Sequence, residues 1–303
     1  MNITFHQLRI LLKVAELQSV TKAAEELYLT QPAISIQLKK LQDQFELPLT
    51  EIVGRQLYVT DFGYEIVKRS RRILDEADGI KYLIDQYKGL ISGKIRISVV
   101  STAKYVIPYF LKPFMDKYPG VEISLDVSNK NKVIEGMIRN ESDFSLVSVL
   151  PKGMRVNALE LMENKLTLVS SSKHPFHPKK PKDLEKVTLL FREKGSATRN
   201  AMEEYLKKHN VQTKNSMELV SNEAVKQAVN AGIGFSIMPL IGLRNQIKIG
   251  SMKTHNMKGL PIITRWNLIY NEGKQLTPAQ SALLDFIKES KSQIMEEYFT
   301  DVF

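Results

Sequence analysis

The segment SVTKAAEELYLTQPAISIQLKKL, residues 19–41, constrains this chain more than any other, because it reads as two short helices joined by a tight turn. Thr21 is placed to cap the first helix, whose inward residues Ala23, Ala24 and Leu27 are mostly small, so that a second helix can cross close by. Tyr28 and Leu29 break the period. Thr30 supplies the next cap, Pro32 sits in the first turn where its missing N–H costs nothing, and Ile34, Leu38, Leu41 and Phe45 recur at helical spacing. That stripe belongs to a core. The opposite face carries Pro32, Ile36, Lys39, Lys40 and Asp43, with Gln31 and Ser35 on its flank near the N-terminal end.

Such a face suits the major groove of DNA. In a helix-turn-helix the first residues of the second helix meet base edges and the flanks meet phosphates. Gln31 can pair bidentately with adenine, Ser35 can donate to or accept from any base, and Ile36 is an aliphatic fitted to a thymine methyl. Lys39 and Lys40 serve phosphate charge, and Thr21 and Thr30 aim helix starts at the backbone. An ordinary helical hairpin with a polar outer face has the same spacing, and spacing alone leaves both readings open.

Residues 3–63 resemble the N-terminal winged helix-turn-helix of the LysR-type transcriptional regulators, through TKAAEEL, TQPAIS and the closing pattern that runs from Gly54 and Arg55 through Leu57 and Thr60 to Gly63. The resemblance continues over essentially the whole chain. It implies a homo-oligomeric bacterial regulator, dimeric or tetrameric, with a long linker helix and a two-lobed effector domain of the periplasmic-binding-protein type. Its expected partners are promoter DNA, a small-molecule inducer and RNA polymerase. The usual family wing is LFER, whereas this chain has Leu49-Thr50-Glu51-Ile52, so a backbone-contacting arginine is absent at Ile52 and Arg55 is its substitute. Within the family, VVSTAKYVIPYFL, FREKGSATR and SNEAVKQAVNAGIGFSIMP look most like the carbon-fixation operon regulators, a branch with phosphorylated or nucleotide effectors.

The net charge of +10 does not by itself argue for nucleic acid. Residues 1–93 carry twelve Lys/Arg and twelve Asp/Glu, while residues 94–303 carry 31 against 21. DNA affinity therefore has to come from local arrangement: Lys39, Lys40, Arg55, and Lys68, Arg69, Arg71 and Arg72 early in the linker. The basic C-terminal part either favours anionic ligands or keeps the protein soluble. There is no cysteine, which excludes disulfides and thiolate chemistry. No apolar run reaches the ~18 residues of a membrane helix, and the start MNITFHQLRI has no secretion signal, so the expected location is the cytoplasm.

The expected division is a DNA-binding domain over 1–60, a linker helix over 61–92 and an effector domain over 93–303. Within the linker, Ile66, Ile73, Ala77, Ile80, Ile84, Tyr87 and Ile91 form a coiled-coil seam that would pair either with its copy or with the chain's own C-terminal domain. After Gly93 strands alternate with helices, predicting α/β architecture around a parallel sheet covered on both faces. Lobe I would hold 93–164 and 266–303, and lobe II 165–265, with two chain crossings as a hinge.

Ligands of such sheets collect beyond the carboxyl ends of the strands. The residues expected there are Ser101, Thr102, Lys104, Ser128, Asn129 and Ser148 in lobe I, and Ser196, Thr198, Arg199 and Glu223 in lobe II. Lys104 and Arg199 would supply positive charge to a carboxylate or phosphate, and Asn222-Glu223 begins a further helix facing the same cleft. Each small polar residue could equally be a helix cap. Catalysis is not expected: there is no G-x-S-x-G turn, and no histidine has an orienting motif. His174 and His177 in HPFHPKKPK have metal-like spacing but lack further ligands nearby, and AGIGFS lacks the G-x-G-x-x-G of a dinucleotide loop, so no cofactor is expected. The reading is a transcriptional regulator answering to a small anionic metabolite; the alternative is a solute-binding module on a helical adaptor.

Overall fold

The computed structural model of the protein describes residues 2–54 and 56–300, which divide into two compact units, 1–90 and 91–303. In the first, α1 (Phe5–Leu17), α2 (Val20–Glu26) and α3 (Gln31–Gln42) pack around Ile10, Leu11, Val14, Ala23, Ala24, Ile34 and Leu41. The alanines make room for the α2–α3 crossing, as their size requires. A hairpin follows, β1 (Thr50–Val53) antiparallel to β2 (Gln56–Val59), and then α4 (Asp61–Gly79). One detail differs from expectation: Ser19, not Thr21, caps α2, its hydroxyl accepting from the Lys22 N–H at 3.3 Å. Thr21 lies one position inside the first turn.

Gly63 explains the closing pattern of this unit. A Cβ there would lie 2.0 Å from the Leu49 carbonyl oxygen, so only glycine lets the start of α4 rest on the base of the wing. Thr60 fixes the same corner, its hydroxyl donating to the Pro48 carbonyl at 2.6 Å and accepting from the Gly63 N–H at 2.9 Å.

The linker is less continuous than its seam suggests. α4 stops at Gly79, a 3-10 turn covers Ile80–Tyr82, and α5 (Leu83–Tyr87) ends before Gly89 at φ +71°. Gly79 is a poor helix former, and by Ser92 the chain is committed to a strand, so Ile91 is not helical. The buried face of α4 is Gly63, Val67, Ser70 and Leu74. Ile73, Ile80, Ile84 and Tyr87, four residues of the expected seam, are left exposed, Tyr87 at 92%.

The second unit opens with β3 (Ser92–Val100), α6 (Ile107–Lys117), β4 (Gly120–Ser128), α7 (Lys130–Ile138), β5 (Phe144–Val147) and the long β6 (Val156–Ser171). It continues through β7 (Thr188–Arg192), α8 (Ala197–Lys208), β8 (Asn215–Leu219), α9 (Asn222–Asn230), β9 (Ser236–Pro239) and α10 (Arg244–Lys248). β10 (Met252–His255), β11 (Ile262–Asn271) and α11 (Pro278–Tyr298) complete it. One seven-stranded sheet runs β10-β6-β11-β5-β3-β4 with β9 also on β6, and β7 pairs with β8 in a small sheet of its own.

This corrects the expectation of a parallel sheet. β3 is parallel to β4 and β5, and β7 to β8, but β6, β9, β10 and β11 pair antiparallel. Residues 148–155 between β5 and β6 hold no helix, and a parallel return needs a crossover of a dozen or more residues. β11 pairs along its whole length with Val156–Leu166 of β6, with an irregularity between Trp266 and Asn267, and the two strands contribute to the cores of both lobes. Ile97, Val99, Phe110, Phe114, Phe144, Trp266 and Ile287 fill one core; Leu166, Leu168, Leu189, Met202, Phe235 and Ile237 fill another. Asp143, buried under β3, accepts from Arg96 at 3.1 Å and Lys274 at 2.7 Å. Burial alone would raise its carboxyl, but those two cations hold it below the usual range.

His174, the first of the metal-like pair, lies against Phe235 with ring centroids 4.6 Å apart, and His177 is 6.4 Å from His255. Among the described residues no group of three or more such side chains is placed to hold a metal, and no helix is long and apolar enough to cross a membrane. His255 is buried with Nε2 2.8 Å from Ser170 Oγ, and burial first, then Lys253, His177 and His174, push its pKa down to about 4. The unfolded chain takes up that proton near pH 6.5 and the folded one near 4, so stability falls as pH drops through that window and levels off below it. In urea titrations at stepped pH, His255→Gln is expected to flatten this loss.

Candidate DNA interface and effector cleft

In the first unit, Thr30 caps α3 by accepting from the Ala33 N–H at 3.4 Å. Gln31, Pro32, Ile36, Lys39 and Lys40 are exposed on one side of α3, while Ile34, Leu38 and Leu41 are buried on the other. Ile36 is 54% exposed, an apolar side chain offered to solvent at the centre of that side. Gln31 donates its amide to Ser35 Oγ at 3.0 Å, an exchangeable bond that holds both groups on one flank. Thr21 and Thr30 are exposed at the starts of α2 and α3. Tyr28, in the turn, takes φ +54° and is 96% exposed. In the wing, Ile52 is exposed where the family more often carries arginine, and Arg55 lies outside the described residues.

In the second unit the strand-end residues collect as the sheet register requires. Val99 pairs with Leu146 and Val100 with Ser128, so Ser101, Ser128 and Ser148 end neighbouring strands on one edge. Thr102 is buried beside Ser101. Asn129 caps α7, accepting from the Lys132 N–H at 3.1 Å. Lys104 Nζ lies 5.2 Å from the Tyr105 ring centroid.

From the other lobe, β7 and β8 end at the starts of α8 and α9. Ser196 and Thr198 are buried at the first of these. Gly195, at φ +87°, passes so close to lobe I that a Cβ would lie 2.8 Å from Asn131 Nδ2. Glu223 accepts from Lys226 and Gln227, each at 2.8 Å, and those bonds keep its carboxyl below its ordinary pKa.

Two residues of lobe II join it to lobe I: Asn222, expected from the sequence at the start of a helix facing the cleft, and Arg192, which the sequence reading did not single out. Arg192 ends β7 and is 3% exposed. Its Nε and Nη2 hold Glu193 at 2.8 and 2.9 Å, and its Nη1 and Nη2 both donate to Ser101 Oγ at 3.2 Å. Asn222, first in α9, donates Nδ2 to the same Ser101 oxygen at 3.1 Å. Three N–H donors thus meet one neutral hydroxyl, which has only two lone pairs. An anionic oxygen would satisfy them better. A charged residue ending the apolar run VTLLF was the available signal for Arg192.

Arg199 has a different task from the one its sequence position suggested. It holds Glu203 at 2.7 Å, Glu218, and the Arg192 carbonyl at 2.8 Å, and the bonds to Glu203 and Glu218 raise its already high pKa. The bonds from its Nε and Nη1 all stay within lobe II.

A three-helix unit with an exposed reader helix and a wing, followed by a two-lobed α/β unit with an interlobe cleft, defines a ligand-responsive DNA-binding regulator. Residues 5–64 match the family described as "Bacterial regulatory helix-turn-helix protein, lysR family", and residues 88–292 match "LysR substrate binding domain". The chain belongs to the LysR family and is a transcriptional regulator of that type. It is 35% identical over 289 residues to the transcriptional activator CmpR of Synechocystis, covering 94% of this chain and 95% of that one. It is 37% identical over 288 residues to CbbR of Rhodospirillum rubrum, covering 93% and 95%. Among solved structures it is similar to the Synechocystis PCC6803 CcmR regulatory domain in complex with 2-PG, at TM-score 0.62 and 32% identity over 65% of this chain and 97% of that one. Full-length CbnR in complex with its target DNA shares the fold, at TM-score 0.64 and 21% identity over 95% and 100%.

Arg199→Gln is expected to destabilise the protein by about 1.5–3 kcal/mol, the range for hydrogen bonds to charged groups, while changing anion affinity less than twofold. Chemical denaturation and calorimetric titration of the variant check the two halves separately.

Proposed function

We propose that this regulator binds promoter DNA through α3 and the wing, and that a small anionic metabolite seated between the lobes alters that binding. The observation that carries this is the convergence of Arg192 and Asn222, both buried in lobe II, on Ser101 of lobe I. An anion that takes over those donors releases the direct interlobe bonds and substitutes its own. Such a ligand has different affinities for two lobe arrangements, which is what a switch requires. The 2-PG held by the 32% identical CcmR domain, and the carbon-fixation roles of the RuBisCO operon regulators this chain resembles, favour a phosphorylated metabolite of carbon assimilation.

The remaining parts follow from this reading. Ser101, Thr102 and Arg192 contact the anion, with Lys104, Ser128, Asn129, Ser148, Ser196, Thr198 and Glu223 around it. The exposed apolar residues of α4 and α5 pair with a second copy, so that two reader helices address two half-sites. The protein works in the cytoplasm, has no catalytic step, and acts on transcription through RNA polymerase at the promoter.

On operator DNA, Gln31→Ala is expected to relax base preference at a cost of ~1–3 kcal/mol, and Lys39→Ala to weaken all sequences alike and flatten the salt slope by ~1. Gel shifts over a salt series read both; equal slopes for wild type and Lys39→Ala would remove Lys39 from the phosphate contacts. Addition of 2-phosphoglycolate is expected to change the footprint of the wild type and not of Arg192→Gln. A protein indifferent to promoter sequence would favour the solute-binding alternative.

A further inference from the structure

We infer that Lys226 and Tyr105 form a second anion-holding point in the interlobe cleft, one helical turn along α9 from Asn222, so that the effector is a small molecule charged at both ends. This rests on the reading of the cleft as the effector site, and adds a second charge at a set distance, which Arg192 alone does not require. Asn222 and Lys226 stand at i and i+4 in α9, on one face of the helix and about 6 Å apart along its axis. The Asn222 end meets Arg192 and Ser101. The Lys226 end meets lobe I through Tyr105. That ring packs on the lobe I core and lies so close against Gly242 that a Cβ there would be 2.7 Å from its Cε2. Burial raises the pKa of the phenol, and the charges that act on it are Lys226, Glu223 and Arg192, all of lobe II. The hydroxyl is therefore within electrostatic reach of both cations, stays protonated at neutral pH, and makes no hydrogen bond among the described residues.

Lys226 has a partner that a ligand can replace. Its side chain is only 12% exposed, whereas Glu223, whose Oε2 lies 2.8 Å from its Nζ, is 47% exposed and also accepts from Gln227. Glu223 can turn to water without leaving Gln227; Lys226 cannot. The Glu223 carboxyl is held below its ordinary pKa by Lys226 first and Gln227 second, and Lys104 of lobe I adds to this, so two lysines from opposite lobes act at one point. An incoming carboxylate takes the place of Glu223, with Lys226 Nζ and the Tyr105 hydroxyl as its donors. The other end of the same ligand replaces Ser101 at Arg192 and Asn222. The protein's own groups thus stand in for the ligand at both points: a hydroxyl at one and a carboxylate at the other. 2-Phosphoglycolate, with a phosphate and a carboxylate on a two-carbon frame, has the required form.

Ethyl phosphate is 2-phosphoglycolate with a methyl in place of the carboxylate, and so isolates the second charge. Calorimetric titration of the full-length protein at pH 8 is expected to show 2-phosphoglycolate binding about tenfold or more tightly than ethyl phosphate, the weight of one hydrogen bond to a charged group. In Lys226→Met that ratio is expected to fall to about one, with ethyl phosphate affinity nearly unmoved. Tyr105→Phe, which keeps the ring against Gly242, is expected to lower the ratio about threefold, the weight of a weaker neutral donor. Retained binding of ethyl phosphate shows that each variant is folded with its Arg192 end intact. Equal binding of the two ligands by wild type, with both lost in Arg192→Gln, would overturn the second holding point and leave the cleft assignment standing. A ratio that survives in Lys226→Met, an unmoved ratio in Tyr105→Phe, or joint loss of both ligands in a Lys226→Met protein that still melts cooperatively would overturn it as well. Binding of neither ligand by wild type would overturn both readings.

Discussion

A guanidinium almost without solvent contact is the fixed point of the effector unit. Arg192 could not be buried unless its donors were met, since an unpaired buried charge is among the most costly groups a fold can contain. Glu193 meets one edge and Ser101, from the opposite lobe, meets the other. The lobes are therefore held together across the cleft by polar bonds, and these are bonds a ligand can exchange. Beneath the cleft the connection is of another kind: β6 and β11 contribute to the cores of both lobes and are joined by one hydrogen-bonded ladder. The first link can be remade; the second cannot without loss of the sheet.

Much of the DNA-binding unit was legible in its sequence because its signals are local. Helical spacing placed Ile34, Leu38 and Leu41 inside and Ile36, Lys39 and Lys40 outside, and the structure has them so. The cap of α2 was misplaced by two residues because Ser19 and Thr21 are both good caps, and side-chain geometry decides between them. In the effector unit, element types were legible and strand direction was not. Direction depends on which strands become neighbours, and the alternation of strands and helices is silent about β11 returning between β5 and β6.

The cleft was half legible for the same reason. Strand ends after β3, β4 and β5 could be listed from the period change, and the register does put them side by side. Which cation faces them depends on burial. Arg199 looked available because it follows a glycine loop, yet its charge is met by Glu203 and Glu218, which sit four residues on and in the neighbouring strand. Arg192 looked like a strand end and is the residue that reaches across. Pairing between distant segments took one cation out of play and put another in.

The corner at Gly63 has a mechanical consequence. Because α4 begins in van der Waals register with the wing base, and Thr60 bolts that junction from both sides, there is no soft joint between the rod and the reading head. A twist of α4 therefore carries the base of the wing with it. The first interruption beyond that corner comes at Gly79, where the α-helix gives way to a 3-10 turn, so from Thr60 to that break the chain acts as one lever with its short end anchored on the wing.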